Sequence, residues 1–428
     1  LNLYNADTKL HLKTNKFKFD YLPLSIIIFY LVGTYVLHLL LNDSQSILLL
    51  FFMTITNIFI VVGYLFAQNK ISVSKTKVFV WEFSKKIEKL ILVSMLITII
   101  SSINSINAFY YDTESIIKFI LNPGKAYEHV KFLRNNTEYN TSSRSFGSTV
   151  SILLTLLSGL KYIYLVLSVI YWKELKNLYK ILFFITSLIY LIHALLIGAM
   201  ITIAGLLMSC IPIIINIVRM RNYNHSAKKN SVKRKITTLI LLFTSVLLIL
   251  FFIGNRIDEN SSIFEGFKTI LFYISHGYIG LEKAIILPFE FTFGFTTFWG
   301  ITSYLTDFIG IANPFNNSYL VRNQFWNGWP TLSLWSTIYP WLASDFSFFM
   351  IPLIMGFVSY KFALIWNKTL LTNNPYGYLL LGQFFIFWLM IPANNQLFQT
   401  LSNASSFLLI LFLYKMSKKF EKKKRDIF

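Results

Sequence analysis

Apolar runs of about 18 residues or more recur along this chain, and nothing else in it constrains the fold as strongly. Runs of that length mark spanning helices. They fall near 22–41, 46–67, 88–109, 148–171, 179–196, 198–218, 236–253, 344–366, 376–392 and 399–414. The composition agrees: 14% of residues are charged, against about 25% in soluble domains. The predicted fold is an all-α polytopic membrane protein, one transmembrane domain over residues 1–428 with about 10–12 spans. Leu22–Leu41 follows a charged start and is expected to be the first anchor rather than a cleaved signal.

The formal net charge is +20, and its distribution argues for topology rather than for nucleic acid. Basic residues gather at Lys9–Lys18, Lys70–Lys89, Lys173–Lys180, Arg219–Lys235 and Lys415–Arg425. Under alternating topology these segments share one side, the positive-inside pattern. Both termini are therefore expected on the cytoplasmic side of the membrane, with the bilayer as a partner and no nucleic acid. Cys210, the single cysteine, excludes an internal disulfide and thiolate metal sites.

Two long segments are expected outside. The first, 110–147, carries mixed charge, and its Asn122-Pro123-Gly124 reads as a helix-breaking turn. The second, 254–340, is aromatic and sparse in cations. Within it, Ala284–Ile311 is moderately apolar but holds Pro288, Glu290, Gly294, Gly300 and Asp307. It reads as a pair of short crossings or as interfacial or re-entrant helices, and the cost of buried acids in lipid favours the latter.

The missing motifs narrow the chemistry. No phosphate-binding Gly-rich loop with Lys, no His-Glu-x-x-His, no Asp-x-Asp and no Gly-x-Ser-x-Gly occurs. Neither cofactor nor metal is expected, and a donor for group transfer has to bring its own leaving group. Arg256, where the seventh run ends, and Arg322, with no acid within ten residues on either side, suit an anionic ligand. An Asp258 or Glu259 ion pair explains Arg256 equally well. His276 suits a general base, or equally a hydrogen-bonded structural role. Asp345 is expected at the start of the eighth span, as a helix cap or as a base or partner for Arg322. Tyr319 and Asn323 flank Arg322. Trp326, Trp329, Trp335, Tyr339 and Trp341 could stack on sugars or form an interfacial belt.

The run Asn327-Gly328-Trp329-Pro330-Thr331, then Trp335-Ser336-Thr337-Ile338-Tyr339, then Ala343-Ser344-Asp345-Phe346, enters an apolar helix containing Gly356. This order resembles the oligosaccharide repeat unit polymerases of O-antigen and capsule, the Wzy family. That family often shows Asp-Phe-Gly at this point, and Ser347 stands here in place of the Gly. Asn122–Glu128 looks like the family's first external loop. The family's Arg followed after ten residues by Gly is not matched, since Phe267 and Ser333 stand in the Gly positions.

The resemblance implies a bundle like that of the lipid-dependent glycosyltransferases (GT-C). It also implies a glycosyltransferase activity that passes a growing glycan from undecaprenyl diphosphate to the non-reducing end of a new lipid-linked repeat unit. His276 and Asp345 become the catalytic candidates. Arg256, Arg322, Tyr319, Asn323, Trp335 and Tyr339 become the substrate-binding ones. The implied partners are the lipid-linked oligosaccharide, a chain-length regulator and a flippase of the same lipopolysaccharide or capsule pathway. The competing readings are an O-antigen ligase and a flippase, the latter disfavoured by the scarcity of charges within the spans, of which Lys161 is the clearest.

Overall fold

The computed structural model describes residues 20–42, 46–70, 81–110, 113–135, 148–197, 200–223, 268, 271–331 and 334–427. Every α-helix among them grows from an apolar or amphipathic run, and seven helical stretches, Thr149–Ile170 counted as one, are long and apolar enough to cross a membrane. The protein is a helical, multi-pass membrane protein. The chain divides into two compact units, Leu1–Trp81 with Leu271–Phe428, and Glu82–Ile270.

The first unit opens with α1 (Leu22–Leu41) and α2 (Ile47–Lys70). The second unit then supplies α3 (Lys85–Phe109), α4 (Thr113–Leu121), α5 (Pro123–Asn135), α6 (Ser148–Leu156), α7 (Leu160–Ile170), α8 (Asn177–Ile197) and α9 (Met200–Tyr223). The Asn122-Pro123 break appears as the junction of α4 and α5. Pro123 takes the first helical position, where its missing N–H costs nothing, and Asn122 Oδ1 accepts from Lys125 N at 3.1 Å. Tyr110 and Val130 meet Leu196 of α8 in a small core, and Tyr110 Oη donates to Leu196 O at 2.6 Å. The run 148–171 is interrupted by a turn at 157–159 that separates α6 from α7. The expected span 236–253 lies outside the described residues.

The first unit resumes with α10 (Gly277–Ile285), α11 (Trp299–Ile309), a 3₁₀ turn (Pro314–Asn317), α12 (Tyr319–Asn327), α13 (Ile338–Thr372), α14 (Pro375–Met390) and α15 (Leu401–Ile427). Helices α10 and α11 have 9 and 11 residues, too short for the roughly 20 that a crossing requires. The moderately apolar stretch is therefore two short helices joined by irregular backbone, with no continuous span.

Helix α13 packs most extensively on α2, and small residues make the close approach possible. A Cβ on Gly63 would collide with the carbonyl oxygen of Gly356, while Ser359 Oγ donates to Ile60 O at 2.8 Å across the same crossing. Without a hydrophobic driving force between helices in lipid, such close backbone packing and interhelical hydrogen bonding hold the pair. At the far end of α13, Asn374 caps α14 through Tyr376 N and Gly377 N and donates to Glu421 Oε1 at 2.8 Å, joining α14 to α15.

Helix α13 begins at Ile338, earlier than the sequence suggested, and is broken by a kink at Ser347, which sits at φ 61°, ψ 155°. This is a region that essentially only glycine occupies at ease. Asp345 is consequently not at the helix N-terminus, so the expected dipole-stabilised cap does not apply. It ends the short helical piece that precedes the kink.

Candidate functional site

The segment between α10 and α12 is built around two charged side chains. Arg322 lies in the first turn of α12, a helix capped by Ser318 Oγ accepting from Val321 N and closed by Gly328 at φ 63°. It is 9% exposed. Its Nε donates to Asn317 O at 2.9 Å and its Nη1 to Pro288 O at 2.8 Å. Nη1 also lies 3.1 Å from Glu290 Oε1, a carboxylate 47% exposed. The guanidinium rests 4.9 Å from the centroid of the Tyr319 ring. Among the described residues its Nη2 is buried with no hydrogen-bond partner. The acid that the neighbouring sequence lacked is thus supplied by Glu290, far outside that window. One side of the fork therefore has no acceptor among the described residues, and buried donors are ordinarily paired.

Asp345, itself buried, accepts from Thr292 Oγ1 at 2.5 Å, Gly294 N at 2.7 Å and Thr297 N at 2.6 Å. These donors come from the segment entering α11, and Thr292 N donates to Ser344 O at 3.1 Å beside them. The carboxylate anchors that turn, and its oxygens are committed to backbone and hydroxyl donors. It does not meet Arg322 through any described contact.

His276 is equally committed. Its Nδ1 lies 3.1 Å from Phe272 O and 3.0 Å from Tyr273 O, so it carries the proton, and Nε2 accepts from Trp335 N at 3.1 Å. The ring stacks between Phe272 at 5.2 Å and Trp335 at 5.8 Å. Burial lowers its pKa below 6.5, with the two carbonyl contacts pulling the other way. A neutral imidazole with both nitrogens used is a clasp between the α10 entrance and the 335–337 segment. The structural alternative for His276 is the one this geometry favours.

The remaining candidates divide. Tyr319 is buried beneath Arg322 and packs on Phe348 at 4.8 Å; burial raises its hydroxyl pKa, and Arg322 opposes that rise. Asn323, fully buried, donates to Gly280 O at 2.9 Å and accepts from Asn327 Nδ2, a framework role behind Arg322. Tyr339 is buried against Phe52, its hydroxyl without a partner among the described residues. Trp335 is partly exposed on the His276 ring. Arg256 lies outside the described residues. An interfacial belt fits the exposed Trp326, but Trp329, Tyr339 and Trp341 are buried. Trp341 belongs to a core with Phe315 and Leu320 that seats the start of α12 on α13.

Sequence reasoning weighed Glu290 only as a buried acid. The signal that places it is the alternation Phe289, Glu290, Phe291, Thr292, Phe293, in which the polar members reach Arg322 and Asp345 and the Phe rings do not. Among the described residues no group of three or more His, Cys, Asp or Glu could hold a metal ion. No family model, curated protein or solved structure matches this chain.

Proposed function

We propose that this protein polymerises lipid-linked oligosaccharide repeat units at the outer face of a bacterial inner membrane, with undecaprenyl diphosphate as the leaving group. The observation that carries the reading is Arg322, a buried guanidinium held by two backbone carbonyls and Glu290, its Nη2 without a partner among the described residues. Planar, fixed N–H donors of this kind match diphosphate oxygens bidentately. The kink at Ser347 adds support, because its backbone takes the conformation glycine favours at the position where the resembled motif carries glycine.

In this reaction the hydroxyl at the acceptor's non-reducing end bonds to the donor's anomeric carbon. The bond from that carbon to the diphosphate breaks, and its electron pair leaves with the diphosphate. Arg322 neutralises the charge that develops there. The hydroxyl proton needs an acceptor, and the commitments of His276 and Asp345 leave neither free for it. Glu290 is the half-exposed carboxylate beside Arg322, and a diphosphate that competes for the guanidinium releases it for that task.

Deleting the gene and resolving surface glycan on a gel tests the reading. Loss of the ladder with one-repeat material retained is the polymerase result. Loss of all glycan beyond the core belongs to a flippase or a ligase. Complementation with Arg322→Ala should leave the ladder absent, and full-length chains from that variant would sink the site assignment.

A further inference from the structure

Residues 288–294 form an irregular strap with two unlike faces. On one face Glu290 pairs with Arg322, Thr292 donates to Asp345, and the Pro288 carbonyl accepts from Arg322. On the other stand Phe289, Phe291 and Phe293, which are 45%, 49% and 69% exposed. Their rings form a row, 6.3 Å from Phe289 to Phe291 and 4.5 Å from Phe291 to Phe293. Phe293 adopts φ 55° and Gly294 φ 85°, so the last ring is held out by a backbone that bulky side chains resist.

This row differs from the exposed apolar residues on the spanning helices, whose backbone groups are satisfied internally. Irregular backbone is tolerated in lipid only where it is covered. The row carries no polar side-chain atom with which to recognise a sugar, yet Glu290, between its first two rings, pairs with the Arg322 guanidinium to which the polymerase reading assigns the diphosphate. A molecule with an anionic head and an unsaturated hydrocarbon tail spans both features.

We infer that the Phe289–Phe291–Phe293 row is the docking face for the first isoprene units of the prenyl chain whose diphosphate Arg322 takes. The inference rests on the polymerase reading, since it presumes that Arg322 holds a lipid diphosphate. Phe rings give the unsaturated, methyl-branched prenyl chain a fixed surface, and the strap's anchors to Arg322 and Asp345 set the distance from that surface to the head group.

The test uses the full chain in phosphatidylcholine nanodiscs with inorganic diphosphate, farnesyl diphosphate and a photoreactive farnesyl diphosphate. Farnesyl diphosphate should bind about tenfold more tightly than inorganic diphosphate, and the photolabel should fall within residues 286–293. Phe289→Ala, Phe291→Ala and Phe293→Ala combined should abolish that preference and leave inorganic diphosphate binding unchanged. A preference that survives in the triple variant, or a label on the spanning helices, overturns the docking face while the Arg322 reading stands. Inorganic diphosphate binding Arg322→Gln as well as it binds the unaltered protein overturns the Arg322 reading, and the docking face with it. Should the triple variant fail to fold, the labelled peptide of the unaltered protein decides.

Discussion

Replacing Ser347 with Gly should stabilise this protein, and the reason lies in one backbone conformation. Ser347 holds φ 61°, ψ 155° at the kink of α13, and a non-glycine residue there costs on the order of 1–3 kcal/mol. No described hydrogen bond uses its hydroxyl, so its removal breaks none of them. Glycine relieves the strain but enlarges the unfolded ensemble, a penalty of about 0.4–1 kcal/mol. The net gain is therefore on the order of 0–2.5 kcal/mol, centred near 1. Ser347→Ala keeps its Cβ in the same strained region and gains nothing. Thermal unfolding of the detergent-solubilised protein, followed by intrinsic fluorescence, should order the melting temperatures Gly above Ser, with Ala no higher than Ser. If the Gly variant melts at or below the Ala variant, the kink is not strained at Ser347 and the argument fails.

Other perturbations test the anchors around the site. Asp345→Asn leaves one carbonyl oxygen for three donors and turns an NH₂ toward a backbone N–H, a loss of about 2–4 kcal/mol. Hydrogen exchange across 291–299 should accelerate, and unchanged protection there would contradict the anchoring role. Because the folded pKa of His276 lies below its unfolded value of 6.5, the unfolded state takes up the proton first. The stability it contributes is thus intact above pH 6.5 and lost as pH falls through the folded value. Melting temperatures between about pH 7.5 and 5 should drop more in the unaltered protein than in His276→Gln; an equal drop removes His276 from the explanation. Gly63→Ala forces α2 from α13 at a cost of about 1–3 kcal/mol, whereas Gly33→Ala meets nothing within 4 Å. Equal melting temperatures for these two variants would falsify the close-packed crossing.

Much of the first level of structure was legible because it is local. Spanning length and apolarity found α1, α2, α3, α8 and α9. Asn122-Pro123-Gly124 marks the break between α4 and α5 by chemistry confined to a few residues, the fixed φ of proline and the amide before it. The start of α13 was misjudged by several residues for a related reason. The residues before Ser344 include Pro340 and polar groups that read as loop, and a kink inside a helix leaves no periodic signature.

What tertiary structure decided was the occupation of each candidate group. A lone Arg322 became a paired one because a strap folds back to bring Glu290 within 3.1 Å. Asp345 lost its helix-cap role to three donors from the segment before α11, and both nitrogens of His276 went to backbone atoms. The sequence by itself determined that this chain lies in a membrane as helices, since burial in lipid depends on the apolarity of each run alone. Which polar groups remain unsatisfied is a property of contacts between distant segments, and only the folded chain could decide that, among the described residues, Arg322 Nη2 is one of them.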